Sequence, residues 1–112
     1  AGWYVLSSNR MAGNTRYHDG AGTYDVDLSV DTYLLSAYAG AKTARLPPAN
    51  AAAALNRTVT IKKTDVSTNA VTVTVQGGGL IDGGTSVVLS AQYQCLTAVS
   101  NGAQWYLINR YP

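Results

Sequence analysis

His18 is the only histidine in the 112-residue chain, and it stands in RYHDG beside Arg16, Tyr17 and Asp19. An imidazole oriented by a carboxylate can act as a general base, but only when both groups converge on one proton path. Neighbours in a turn seldom point at the same atom, and the chain has no G-x-S-x-G nucleophile motif. His18 is therefore expected to be a loop residue, and the chain is expected not to be an enzyme. A second cluster, DVDLSVD, brings Asp25, Asp27 and Asp31 close together in sequence. Hard cations such as Ca²⁺ favour grouped carboxylates, but a calcium site needs six or more oxygens and the EF-hand pattern is absent. These three are weak metal candidates; a solvated edge or turn is the expected role, and no cofactor is expected. The glycine-rich GGGLIDGGT lacks both the Lys-Ser/Thr ending and the following helix of a phosphate loop. It reads as tight turns around Leu80 and Ile81.

The aromatic set is informative. There are eight tyrosines, two tryptophans and no phenylalanine, so every aromatic ring carries a polar group. Such rings suit protein interfaces and sugar surfaces. Tyr33, Trp105 and Tyr106 fall in strand-like runs and are expected in packing. Tyr17 and Tyr38 fall near loops, where binding residues concentrate. Arg16, Tyr17, His18 and Tyr38 are the candidate binding contacts, of a kind that suits a glycan.

The single Cys95 excludes an intrachain disulfide, so the fold is not a stapled secreted scaffold. In the strand-like YQCLTAV it is expected to be buried and inert. Charged residues are 12% of the chain, about half the roughly 25% of an average soluble domain. The net charge of +2 comes from scattered basic residues, which excludes a nucleic-acid footprint. No run approaches the roughly 20 apolar residues of a membrane span. The opening Ala1-Gly2-Trp3 lacks the pattern of a secretory signal. It is expected to continue from a preceding segment, making this the C-terminal part of a longer protein.

These residues must be positioned by strands. There is no glutamate and there are three lysines, whereas Thr, Val and Tyr are abundant; that balance disfavours helix surfaces and favours an all-β chain. RTVTIKK and VTVTV alternate valine or isoleucine with threonine. Successive side chains in a strand face opposite ways, so Val59 and Ile61 share an inner face, as do Val71, Val73 and Val75. Thr58, Thr60, Thr72 and Thr74 then point outward. Strands are expected at 3–6, 23–28, 33–37, 43–46, 58–62, Val71–Val75, 87–90, 93–99 and 105–108. Asp19-Gly20, Gly77-Gly78-Gly79, Asp82-Gly83-Gly84 and Asn101-Gly102 separate them. Asn-Gly predicts a hairpin pairing 96–99 with 104–107. Residues 7–22 lack periodicity and read as a long loop. The alanine run after Pro47-Pro48 predicts one short helical turn near 49–55. The sum is one domain over 1–112: a compact β-sandwich, jelly-roll-like, of about eight or nine short strands.

The pieces ARLPPA, RTVTIKKTDVSTNAVTV and LIDGGTSVVLSAQYQCLTAVSNGAQWYLI follow one another within residues 31–108. In that order they resemble a recurrent module of tailed-bacteriophage tail fibres, tailspikes and tail needles. Residues 1–30 lie outside the resemblance. It implies a β-sandwich knob that assembles as a homotrimer and serves trimerisation or receptor contact. It further implies a place on the virion tail after synthesis in the host cytoplasm, with a surface glycan or outer-membrane receptor as partner. The polysaccharide-cleaving activity found in such proteins belongs to separate β-helical domains too large for this chain. The competing reading is a monomeric carbohydrate-binding module of a polysaccharide-degrading enzyme, which the same tyrosines and low charge permit.

Overall fold

The computed structural model describes residues 15–52 and 54–111. Nine strands make up the described chain: β1 Thr15–His18, β2 Gly22–Asp25, β3 Thr32–Leu35, β4 Lys42–Leu46, β5 Thr58–Lys63, β6 Val71–Val75, β7 Val87–Leu89, β8 Cys95–Ser100 and β9 Trp105–Tyr111. They form a five-stranded sheet in the order β1-β3-β5-β8-β9 and a four-stranded sheet in the order β2-β4-β6-β7. One apolar core draws on both sheets.

The winding differs from a jelly roll, which is antiparallel. Up to β6 the chain visits the two sheets alternately, and each strand pairs in parallel with the one two places earlier. Three stacked coils result: β1–β2, β3–β4 and β5–β6. Only then does the pairing turn antiparallel, with β7 on β6, β8 on β5 and β9 on β8. The alternation of apolar and hydroxyl residues says which side chains are buried. It is indifferent to whether neighbouring strands run parallel or antiparallel, so the winding was not readable from it.

The faces follow the alternation. In β5 Val59, Ile61 and Lys63 are buried, and in β6 Val71, Val73 and Val75. The register aligns equivalent positions across the coils: Tyr33, Ile61 and Leu96 form one inner row, and Lys42, Val71 and Leu89 another. The hairpin expected at Asn101-Gly102 is present, with Val99 opposite Tyr106 and Ser100 opposite Trp105. A bulge lies between Thr97 and Ala98. The free edge of β9 is partly covered: Trp105 N–H donates to the Leu80 carbonyl at 3.0 Å, and Asp82 N–H donates to the Trp105 carbonyl at 2.9 Å. Covering an edge in this way limits unwanted strand addition.

Three local expectations are corrected. Residues 15–18, read as loop, form β1; the expected strand at 3–6 lies outside the described residues. The described residues near 49–55 are not helical. Ala51, Ala54 and Arg57 N–H groups donate to the carbonyls three residues back, giving three turns end to end. An isolated helical nucleus is unfavourable, and β8 supplies competing partners. The Ser100 hydroxyl donates to the Ala49 carbonyl at 2.7 Å, and Asn56 N–H donates to the Ser100 carbonyl at 2.9 Å. Cys95 is free but half-buried, on the outer side of β8 rather than in the core.

Candidate functional site

Alternation on β1 separates the residues proposed as one glycan contact. Tyr17 pairs with the outer Leu34 and is 60% exposed. Its neighbours Arg16 and His18 pair with the buried Tyr33 and Leu35 and face the other way. Tyr38, 71% exposed, lies in the turn joining β3 to β4. That turn adjoins the end of β1, because Ser36 N–H donates to the His18 carbonyl at 2.9 Å. Of the four candidates, Tyr17 and Tyr38 offer rings to solvent, His18 is half-buried at the end of the core, and Arg16 is exposed beside Asp27.

His18 is held from inside. Its ring stacks on Tyr24 with centroids 4.3 Å apart, and its Nδ1 lies 2.6 Å from Lys42 Nζ. Lys42 is 1% exposed, and its Nζ also stands 5.6 Å from the centre of the Tyr24 ring. With the ammonium donating, Nδ1 is the acceptor and the neutral ring carries its proton on Nε2. Burial, and then the Lys42 charge, lower the imidazole below its ordinary value; Asp19 opposes them. Burial likewise lowers Lys42. A histidine whose Nδ1 is taken by lysine does not have the orientation a carboxylate would give a general base.

The three aspartates do not converge. Asp25 receives Arg45 through two bonds, Nε at 2.6 Å and Nη2 at 3.0 Å. Asp27 accepts the Ser29 N–H at 3.0 Å, the Ser29 hydroxyl at 2.7 Å and the Tyr33 hydroxyl at 3.0 Å, and Arg16 stands 3.9 Å away. The bonds from Ser29 and Tyr33 hold its carboxyl at about 2 against burial. Asp31 pairs with Arg57 at 3.1 Å. The carboxylate cluster is thus three separate ion pairs, and no group of three metal-ligating side chains occurs among the described residues.

Sequence reasoning missed a buried ion pair. Lys63 is fully buried, and its Nζ lies 3.0 Å from Asp65 Oδ2. The same ammonium donates to the carbonyls of Asp65 and Ser67 at 3.0 and 2.9 Å. Asp65 also accepts the Ala37 N–H at 2.7 Å, the Ser67 N–H at 3.1 Å and the Ser67 hydroxyl. Burial alone would raise this carboxyl, but the hydroxyl, the amide and Lys63 together hold it well below the usual range. The signal was present: Lys63 follows Val59 and Ile61 at period two, which places it inward.

The outward face of the five-stranded sheet carries ordered rows of side chains. Thr15, Thr32, Thr60, Thr97 and Asn109 lie in register across all five strands. Tyr17, Leu34, Lys62, Cys95 and Tyr111 form the adjacent row, and Thr58, Val99 and Tyr106 begin a third. Strand spacing of about 4.8 Å gives these rows a length of roughly 19 Å. Thr60 and Thr97 hydroxyls are bonded to each other at 2.9 Å. Lys62 is the one charged side chain in the three rows. The opposite sheet carries its own outer row, Thr23, Thr43, Thr72 and Val88, but beside it lies the Asp25–Arg45 ion pair. No family model matches the chain, and no curated protein matches it.

Proposed function

We propose that this chain is a non-enzymatic, self-associating domain of a bacteriophage tail fibre, tailspike or tail needle, and that it works as a homotrimer on the virion and contacts the host surface. The observation that carries the proposal is the outward face of the five-stranded sheet. Its rows of threonine, tyrosine, leucine and valine contain a single lysine, and depletion of charge marks the centre of subunit interfaces. The exposed rings of Tyr17 and Tyr38 stand at one corner, where a host saccharide or receptor would meet them. The resemblance of residues 31–108 to tail-protein modules supplies the biological setting.

Native mass spectrometry tests the assembly. The expected species has three times the 11.8 kDa of one chain. Thr60→Arg, in the middle of the threonine row, is expected to give a folded monomer. Thr74→Arg on the opposite sheet is expected to leave the trimer intact. A wild-type monomer at micromolar concentration would overturn the assembly. A monomer that binds a glycan through Tyr17 would instead establish the carbohydrate-binding module.

A further inference from the structure

The corner of the fold opposite Tyr38 holds a pocket of about 320 Å³ that none of the candidate residues touches. Three loops build it: residues 48–50 after β4, the turn after β6 at Gln76, Gly77 and Gly79, and the β8–β9 hairpin at Gly102 and Ala103. Its shape is fixed by the backbone. Gly77 and Gly102 have φ of 73° and 94°, a region side chains disfavour. A Cβ on Gly79 would lie 2.5 Å from Val75 Cγ1. Bonds beneath the pocket tie the 48–50 loop to β8, β9 and their hairpin, and the Trp105 N–H bond to the Leu80 carbonyl ties in the chain just after Gly79. The Trp105 indole donates to the Pro47 carbonyl at 2.9 Å, Ser100 donates to the Ala49 carbonyl, and the Gly102 N–H donates to the Ser100 hydroxyl at 3.1 Å. A rigid wall avoids the ordering cost of binding.

The lining selects the ligand class. Among the described residues it has no ionised side chain, so neither an anion nor a cation is recognised by charge. It has no aromatic ring for stacking a base or a planar cofactor. What it offers is the exposed amide of Asn50, the half-exposed amide of Gln76, peptide groups of the glycines, and small apolar patches at Pro48, Ala49 and Ala103. Carboxamides can both donate and accept hydrogen bonds, which matches hydroxyl groups, and the small patches match C–H faces between them. A volume near the lower end of the usual range for ligand pockets admits one small unit. We infer that this corner is a binding site for one unit of a neutral saccharide, with Asn50 and Gln76 reading its hydroxyls. The inference rests on the host-contact half of the function proposed above and not on assembly.

The test is a heteronuclear NMR titration of the intact chain with galactose, glucose and N-acetylglucosamine. At least one sugar should shift the Gly77, Gly79, Gly102 and Ala103 amides saturably, with a Kd on the order of 1 mM. Ala103→Arg, at an exposed hairpin position, should fill the mouth and weaken binding at least about tenfold. Asn50→Ala with Gln76→Ala should do the same, and Val66→Ala, an exposed residue between β5 and β6 outside the pocket lining, should leave binding unchanged. Absence of saturable shifts with all three sugars would overturn the site. So would shifts that centre on Tyr17 or Tyr38 and survive Ala103→Arg, although these would leave the host-contact reading standing. The mass of the assembly is measured independently, so failure of one leaves the other intact.

Discussion

At the scale of single residues, the unusual groups are two lysines turned inward. Lys63 is neutralised by Asp65 and wrapped by carbonyls, an arrangement that satisfies all its donors. Removing one partner of a buried pair leaves the other charge stranded, at a typical cost of about 3–5 kcal/mol. Asp65→Ala is therefore expected to lower the unfolding free energy in urea by that order. Because the folded carboxyl titrates below its unfolded value of 3.8, its contribution is present above that pH and lost as the pH falls. Wild type should weaken between about pH 4 and pH 2, and Asp65→Asn should show less of that loss. Lys42 has a different partner, the neutral imidazole of His18. The folded imidazole titrates below 6.5, so its stabilising share is present above pH 6.5 and disappears as the pH drops through the folded value. NMR titration of the His18 ring should give a midpoint below 6.5, and Lys42→Met should move it upward. A wild-type midpoint at 6.5 would remove the pairing from the account.

At the scale of elements, pairing registers and turns decide the architecture. Val59, Ile61, Val71, Val73 and Val75 are buried as their spacing required, and the Asn101-Gly102 hairpin formed where its turn residues placed it. The alanine run went the other way, because hydrogen bonds from β8 competed with a helix too short to nucleate. Glycine positions test this account. Gly79→Ala would press a methyl group into the buried Val75, and something must shift. Overpacking of this kind costs typically about 1–3 kcal/mol. Urea denaturation of Gly79→Ala should show that loss, whereas Gly84→Ala, whose new methyl would make ordinary contact at 3.5 Å, should stay close to wild type. Equal stability of the two variants would mean that the turn after β6 is free to move.

At the scale of the whole molecule, the outer threonine rows give the proposed assembly a physical signature. A domain that associates only when folded gains stability by mass action, so its midpoint depends on concentration. The proposed homotrimer predicts a Tm that rises as the chain is concentrated from nanomolar to micromolar. Thr60→Arg should abolish that rise while leaving the secondary structure unchanged by circular dichroism. A midpoint independent of concentration in wild type would point to a domain that is complete as one chain.

The amino-acid sequence by itself determined that the chain is built of strands, that Val59, Ile61, Val71, Val73 and Val75 line the core, and where one hairpin turns. These are local properties: strand propensity, side-chain alternation and turn chemistry act over a few residues. It left Tyr17 grouped with Arg16 and His18, and Asp25 with Asp27 and Asp31, because closeness along the chain was all it could offer. The tertiary structure decided that three coils stack in parallel, that each of those aspartates meets its own arginine, and that Lys63 and Asp65 close a buried pair. It also brought three distant loops together around an uncharged pocket. Such outcomes depend on which strand lies beside which, and a repeating pattern of valine and threonine fits many neighbours equally well.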